Sequence, residues 1–232
     1  MANQKRTRED ILEAVIDTVH RKGFVSTSLS ELFKLSGASS GSFYNYFSSK
    51  QALAHALIDL EWQKLEQNVF QHAAEQSSST IAQLFWILDR LEQKQQQHPF
   101  CGGCLLGNLV VDLVEQDPSF RAHLQQIFQS WEAVLARLLR QGQLRASVDP
   151  DRLAEQIIIV IEGAMLMGKL HRDTARLHRS FDLARQLVRQ ALHDDFFDSD
   201  SGGDSGGDSA ERLAARDWRR SLRLPCIPTG FD

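Results

Sequence analysis

Apolar residues in this chain recur three and four positions apart in segment after segment, a spacing that suits helices and little else. Ile11, Leu12, Val15, Ile16 and Val19 form the first stripe, behind Thr7 as an N-cap with Asp10 three residues on; Gly23 ends it. Leu53, Ala56, Leu57, Leu60 and Leu65 share one face of a long helix that starts at Lys50. After a break at Ser77–Ser79, the stripe Ile81, Leu84, Phe85, Leu88 and Leu91 runs through a helix over 80–97. His98 to Gly103 reads as a loop, Cys104 to Val114 as an apolar helix closed by the turn at Asp117-Pro118, and Phe120 to Leu139 as another. Asp149-Pro150 supplies a cap and a first-turn proline for a strongly apolar helix through Leu170, and Thr174 to Leu192 follows. No strand alternation and no internal repeat survive this reading. The expected fold class is all-α.

Residues 26–50, STSLSELFKLSGASSGSFYNYFSSK, carry the most chemistry. They read as a short helix capped by Thr27 or Ser28, a turn at Gly37-Ala38, a second short helix from about Ser39 to Phe47, and the cap of a third. The second helix holds Ser39, Ser40, Ser42, Tyr44 and Asn45, with only Phe43 and Phe47 clearly apolar. A core helix would not carry so many small hydroxyls and amides. A helix that enters a DNA major groove would, because it must be slim at its N-terminus and rich in groups that bond base edges and phosphates.

The segment GASSGSFYNYFSSKQAL resembles the recognition-helix signature of TetR-type transcriptional repressors, and Gly23-Phe24 and Thr27-Ser28 fit the same pattern. Ser40 stands where that family often has Lys or Arg, so one common contact is absent or replaced. The resemblance implies a helix-turn-helix head that binds double-stranded operator DNA. Thr27, Ser28, Ser39, Ser40, Gly41, Ser42, Tyr44, Asn45, Tyr46 and Lys50 are its contact candidates, with Thr27 and Lys50 bonding phosphates from helix N-termini.

Charge distribution agrees. The chain of 232 residues carries a net charge of −4, but Lys5 to Lys50 holds seven Lys/Arg against five Asp/Glu. A mildly basic head on an acidic body can present one end to phosphates. No apolar run reaches the ~18 residues of a membrane span. MANQKRTRED lacks the apolar stretch of a secretory signal, and three cysteines do not make a disulfide framework, so a cytoplasmic protein is expected.

In the body, Ile157, Ile158, Val160, Ile161, Ala164 and Met165 make the helix at 149–171 apolar almost all round, and Phe181, Ala184, Leu187, Val188 and Leu192 stripe the next. A helix apolar on more than one face must bury both. These two helices and their symmetry mates would form a four-helix homodimer interface, which is where the family resemblance also places it, with Leu187 and Leu192 as outward positions. Trp62, Phe85, Trp86, Phe100, Phe128, Trp131, Met165 and Met167 have two readings: plain core, or the lining of a pocket. The resemblance implies a small-molecule inducer, for which Trp86, Phe100, Trp131, Met165 and His171 are the candidate lining.

GCLLGNLVVDLVEQDPSFR, from Gly103 to Arg121, resembles the branch of the family that includes the N-ethylmaleimide-reductase repressor and acrylate-responsive members. That branch responds to electrophiles or small unsaturated acids, some members through cysteine. Cys104 occupies the matching position, at a helix N-terminus whose partial charge would favour a thiolate, with Cys101 three residues before it. Three readings stand: a packed inert thiol pair, a redox or electrophile sensor, and a metal site of His98, Cys101 and Cys104. A structural zinc wants four ligands, and no fourth is evident nearby, so no metal is assigned.

No Gly-rich phosphate loop, nucleophile elbow or His-Glu-x-x-His occurs, and no cofactor is expected. The sequence divides into a DNA-binding head at 1–49, a regulatory and dimerisation body at 50–196, and a tail at 197–232 that opens with the low-complexity DSDSGGDSGGDS and should be disordered. The expected function is a dimeric repressor that binds a palindromic operator and is released by a small-molecule, electrophile or redox signal. The alternatives are a thiol–disulfide redox protein using Cys101 and Cys104, and a helical protein-binding scaffold.

Overall fold

The computed structural model describes residues 6–97 and 102–193. Phe100, Cys101, His98 and the tail from 197 lie outside those residues, as does the metal reading that needs His98 and Cys101. Every regular element among the described residues is a helix.

The head is three helices: α1 Arg8–Lys22, α2 Leu29–Ser36 and α3 Ser40–Tyr46. Local chemistry sets each start. Thr7 and Asp10 close a capping box, the Asp10 amide donating to the Thr7 hydroxyl at 3.1 Å and the Thr7 amide to the Asp10 carboxylate at 2.9 Å. Ser28 caps α2 and Ser39 caps α3. Gly37 ends α2 with φ +63°, a backbone that glycine adopts without strain. Ile11, Leu12, Val15 and Val19 of α1 close over Leu32, Phe43 and Phe47.

Helix α4, Lys50–Leu65, is capped by Ser49 and packs against both α1 of the head and the body helices Leu105–Leu113 and Pro118–Gln141. It continues as a π-helical stretch, Glu66–Gln71, into α5, His72–Gln76. The sequence does not mark this π stretch; it turns Val69 and Phe70 inward, Phe70 against the Trp131 ring at 6.4 Å. The body then runs α6 Thr80–Gln97, α7 Leu105–Leu113, α8 Pro118–Gln141, α9 Pro150–His171 and α10 Thr174–Ala191. Asp117-Pro118 is a cap and first-turn proline for α8, not merely a turn. Helix α9 packs between α8 and α10, and α10 also leans on α6.

Leu192 is a correction. It is fully buried, because the Arg145 amide donates to the Ala191 carbonyl at 2.9 Å and the His193 amide to the Gln143 carbonyl at 2.8 Å, tying the end of α10 under the α8–α9 loop. It cannot be an outward position. The outward apolar residues are instead Ile159, Leu166, Met167 and Leu170 on α9 and Leu183 on α10, with Leu187 half-buried.

Candidate nucleic-acid interface and its link to the body

Helix α3 is held from beneath by Phe43. That ring is fully buried, meets Phe33 edge-on at 4.9 Å and packs against Phe47 at 5.3 Å. One aromatic anchor leaves the opposite face free: Ser39, Ser40, Gly41, Tyr44 and Asn45 are exposed, and Ser42 and Tyr46 half-buried. Tyr44 is 49% exposed, its ring braced edge-on by Phe33 and Phe43. The Ser39 hydroxyl accepts the Ser42 amide at 3.1 Å, and the Ser28 hydroxyl accepts the Glu31 amide at 3.2 Å. Both remain on the surface at helix N-termini, where amides and the helix dipole favour anions.

Thr27 is different. Its side chain is fully buried and its hydroxyl donates to the Gly23 carbonyl at 2.7 Å. It ties the loop before α2 back to the end of α1 and cannot reach a phosphate through that hydroxyl. Lys50 is half-buried; its ammonium lies 4.8 Å above the Phe24 ring and 3.4 Å from the Val25 carbonyl it donates to. Desolvation draws its pKa below the usual lysine value, and Asp112 opposes that shift.

The head is gripped by α7. The Phe24 amide donates to Asp112 Oδ2 at 2.6 Å. Asn108 Nδ2 donates to the Gly102 carbonyl at 3.0 Å and the His20 carbonyl at 3.5 Å. His20 Nε2 bonds the Gly103 carbonyl at 3.0 Å, and Gln95 of α6 donates to the same oxygen at 3.0 Å. The close approach needs glycine: a Cβ at Gly102 would lie 2.8 Å from the His20 ring, and Gly103 has φ +77°. Sequence reading missed Asn108 and Asp112. Their signal was present, because they are the two polar residues of an otherwise apolar LLGNLVVDL, four apart and therefore on one face.

Cys104 caps α7, its sulfur accepting the Gly107 amide at 3.4 Å. The expected easy ionisation does not follow. Burial pushes the thiol well above its ordinary pKa, and the facing Glu162 carboxyl adds to the rise; the Gly107 amide opposes both and loses. Glu162 is raised by burial to about 7, with the Cys104 hydrogen bond as a partial offset. The glycine at 107 makes room for this carboxyl, since a Cβ there would collide with Glu162 Oε2.

Among the described residues, the pocket candidates Trp86, Trp131, Met165 and His171 do not share one cavity. Trp131 is fully buried core, stacked on Phe128 at 5.9 Å, and Met165 is core beside Gln95, whose amide meets its sulfur at 3.7 Å. Trp86 is half-buried against the core, and His171 is exposed at the end of α9, where no interior can be lined. Among the described residues, a groove of about 330 Å³ between α7 and α8 is lined by Val110, Val114, Arg121, Leu124, Gln125 and Phe128.

Residues 11–57 match the sequence profile described as bacterial regulatory proteins, tetR family, and residues 80–184 match the tetracyclin repressor-like C-terminal domain. The transcriptional regulator AcuR of Cereibacter sphaeroides is 32% identical over 73% of this chain and 80% of its own length. A regulator from the lacX 3' region of Lactococcus lactis is 30% identical over 78% of this chain and 92% of its own. The crystal structure of regulatory protein TetR from Rhodobacter sphaeroides superposes with a TM-score of 0.71 at 30% identity, covering 79% of this chain and 98% of that one. These relatives are regulators, and neither the thiol–disulfide reading nor the scaffold reading finds a counterpart among them. The chain belongs to the TetR family of helix-turn-helix transcriptional regulators.

Proposed function

We propose that this regulator is a repressor that binds a palindromic operator as a homodimer, with 1–49 as the reading head and 50–196 as the regulatory and dimerisation body. The observation that carries the reading is α3: a seven-residue helix with one buried aromatic anchor and an outer face of Ser40, Gly41, Tyr44 and Asn45. One such head reads a half-site, and two at a one-turn spacing or a multiple of it gain affinity together. Ile159, Gly163, Leu166 and Leu170 stand four, three and four residues apart on the outer side of α9, the spacing of a helix–helix seam. A symmetric partner would cover it.

Release comes from a small molecule or electrophile that disturbs the first turn of α7. Cys104 sits there beside Glu162, one residue from the Gly103 carbonyl that His20 holds. Displacement of this turn passes directly to α1. The raised thiol pKa favours a slow covalent reaction or a non-covalent ligand over a permanently ionised sensor.

Fluorescence anisotropy with DNA flanking the protein's own gene tests both parts. Wild type should bind as a dimer, and N-ethylmaleimide should weaken binding in wild type but not in Cys104→Ser. Equal loss in both proteins would move the sensor away from Cys104.

A further inference from the structure

Away from the DNA face and the α7 turn, two imidazoles meet. His55 of α4 and His123 of α8 lie Nδ1 to Nδ1 at 2.8 Å, their rings stacked with centroids 5.1 Å apart. Such a contact needs one proton between two nitrogens: one ring donates and the other accepts. The outer nitrogens are also engaged. His123 Nε2 is 2.9 Å from Asp59 Oδ1, a carboxylate that only accepts, so this nitrogen carries hydrogen. His55 Nε2 is 3.2 Å from the Ser119 hydroxyl, which can play either part. The Phe120 ring also stacks on His55, at 4.5 Å.

Counting protons gives the behaviour. The neutral pair holds two and the singly charged pair three, and both keep the central bond. The next proton places two N–H groups head to head and two positive charges in contact. We propose that His55 and His123 form an acid-sensitive latch between α4 and α8, closed while the pair carries at most one charge and opened by the second.

The carboxylates around the pair favour a positive charge on it. Asp59 from α4 and Asp117 from the α8 cap face the pair. From the α7 side, Asp112 is engaged by the Phe24 amide and Glu115 by Arg121 at 2.5 Å. Burial holds His55 below the ordinary imidazole value of 6.5, His123 adds to that, and the two aspartates pull the other way. A depressed folded-state value means that the contact is complete above 6.5 and lost as pH falls through the lowered value. Helix α4 also packs against α1, so loosening its hold on α8 changes how the head is carried. That consequence for DNA rests on the operator-binding reading; the coupled titration does not.

The test measures operator Kd from pH 7.5 down to 5.0 at fixed ionic strength for wild type, His123→Gln, His55→Asn and His20→Gln, beside NMR titration of the imidazoles. The glutamine keeps an amide donor for Asp59 and cannot take a charge. Wild type and His20→Gln should lose ~5-fold or more in affinity on acidification, while the two latch variants stay flat with normal helix content. NMR should give two separated steps for the pair in wild type and a single step for the histidine left in each variant. A flat wild type, or latch variants that follow it, overturns the proposal, and a flat His20→Gln alone would place the proton at the head joint instead. Absence of operator binding at every pH would defeat the DNA reading, and the NMR titration would then decide the latch by itself.

Discussion

Thr27 and Tyr44 sit in one helix-turn-helix, the first buried and the second exposed, and substitution should separate them. Tyr44 is braced but exposed, so Tyr44→Ala should weaken operator binding by tenfold or more, on the order of 1–3 kcal/mol for a lost specific contact, with helix content and dimerisation unchanged. Thr27→Val keeps the shape of a fully buried side chain and removes the donor to the Gly23 carbonyl. It should lower unfolding stability by ~1–2 kcal/mol. Binding measured well below the melting range should stay close to wild type; a large specific loss there would restore Thr27 as a contact. Glu162 gives a third prediction, through pH. Its folded-state value is raised from 4.5 to about 7, so the folded state holds the proton more tightly than the unfolded chain. The associated stability is complete below 4.5 and lost as pH rises through about 7. Glu162→Gln should therefore gain on wild type over that window, by up to ~3 kcal/mol at pH 8, and the two should converge near pH 4. Parallel stability curves would mean that Glu162 ionises freely. The polar outer face of α3 was legible in the sequence because a seven-residue helix with one aromatic anchor has few ways to sit. The state of Cys104 was not, because it depends on a carboxyl 58 positions away on another helix.

At the scale of elements, the bounds of the helices were readable because caps are local: Thr7 with Asp10, Ser28, Ser39, Ser49 and Asp149 each act within three residues of their own position. Which side of a helix faces outward is a tertiary property, and there the reading of Leu192 failed. The two leucines now make a paired test. Leu166→Arg puts a charge on the exposed stripe of α9 and should give a folded monomer by sedimentation. Leu192→Arg puts the same charge in the core under the α8–α9 loop and should cost several kcal/mol or prevent folding. A folded dimer from Leu166→Arg would place the interface elsewhere. Helix α7 offers a second element-scale test. Asp112→Ala leaves the Phe24 amide without its 2.6 Å acceptor, so the head should lose its fixed pose on the body. Operator affinity should fall several-fold, while Asp112→Asn, which keeps an acceptor oxygen, should recover most of it. Equal behaviour of the two variants would show that α7 does not position the head.

The molecule as a whole carries a net charge of −4, so on the proposed function attraction to DNA would come from its mildly basic heads, presented as a pair. On the operator-binding proposal, the helix N-termini at Ser28, Ser39 and Ser49 and the basic residues of α1 would offer each head a few phosphate contacts. Every phosphate neutralised releases counterions, and the logarithm of the binding constant falls against the logarithm of salt with a slope of about −0.9 per contact. A dimer with both heads seated makes twice the contacts of one head. The salt slope of wild type on a full operator should therefore be about double that of the Leu166→Arg monomer on the same DNA. The comparison is sharper than affinity alone, since a weakened monomer could lose affinity through partial unfolding without changing its slope. Equal slopes would mean that one head supplies all the phosphate contacts, and the two-head reading of the operator would have to be given up.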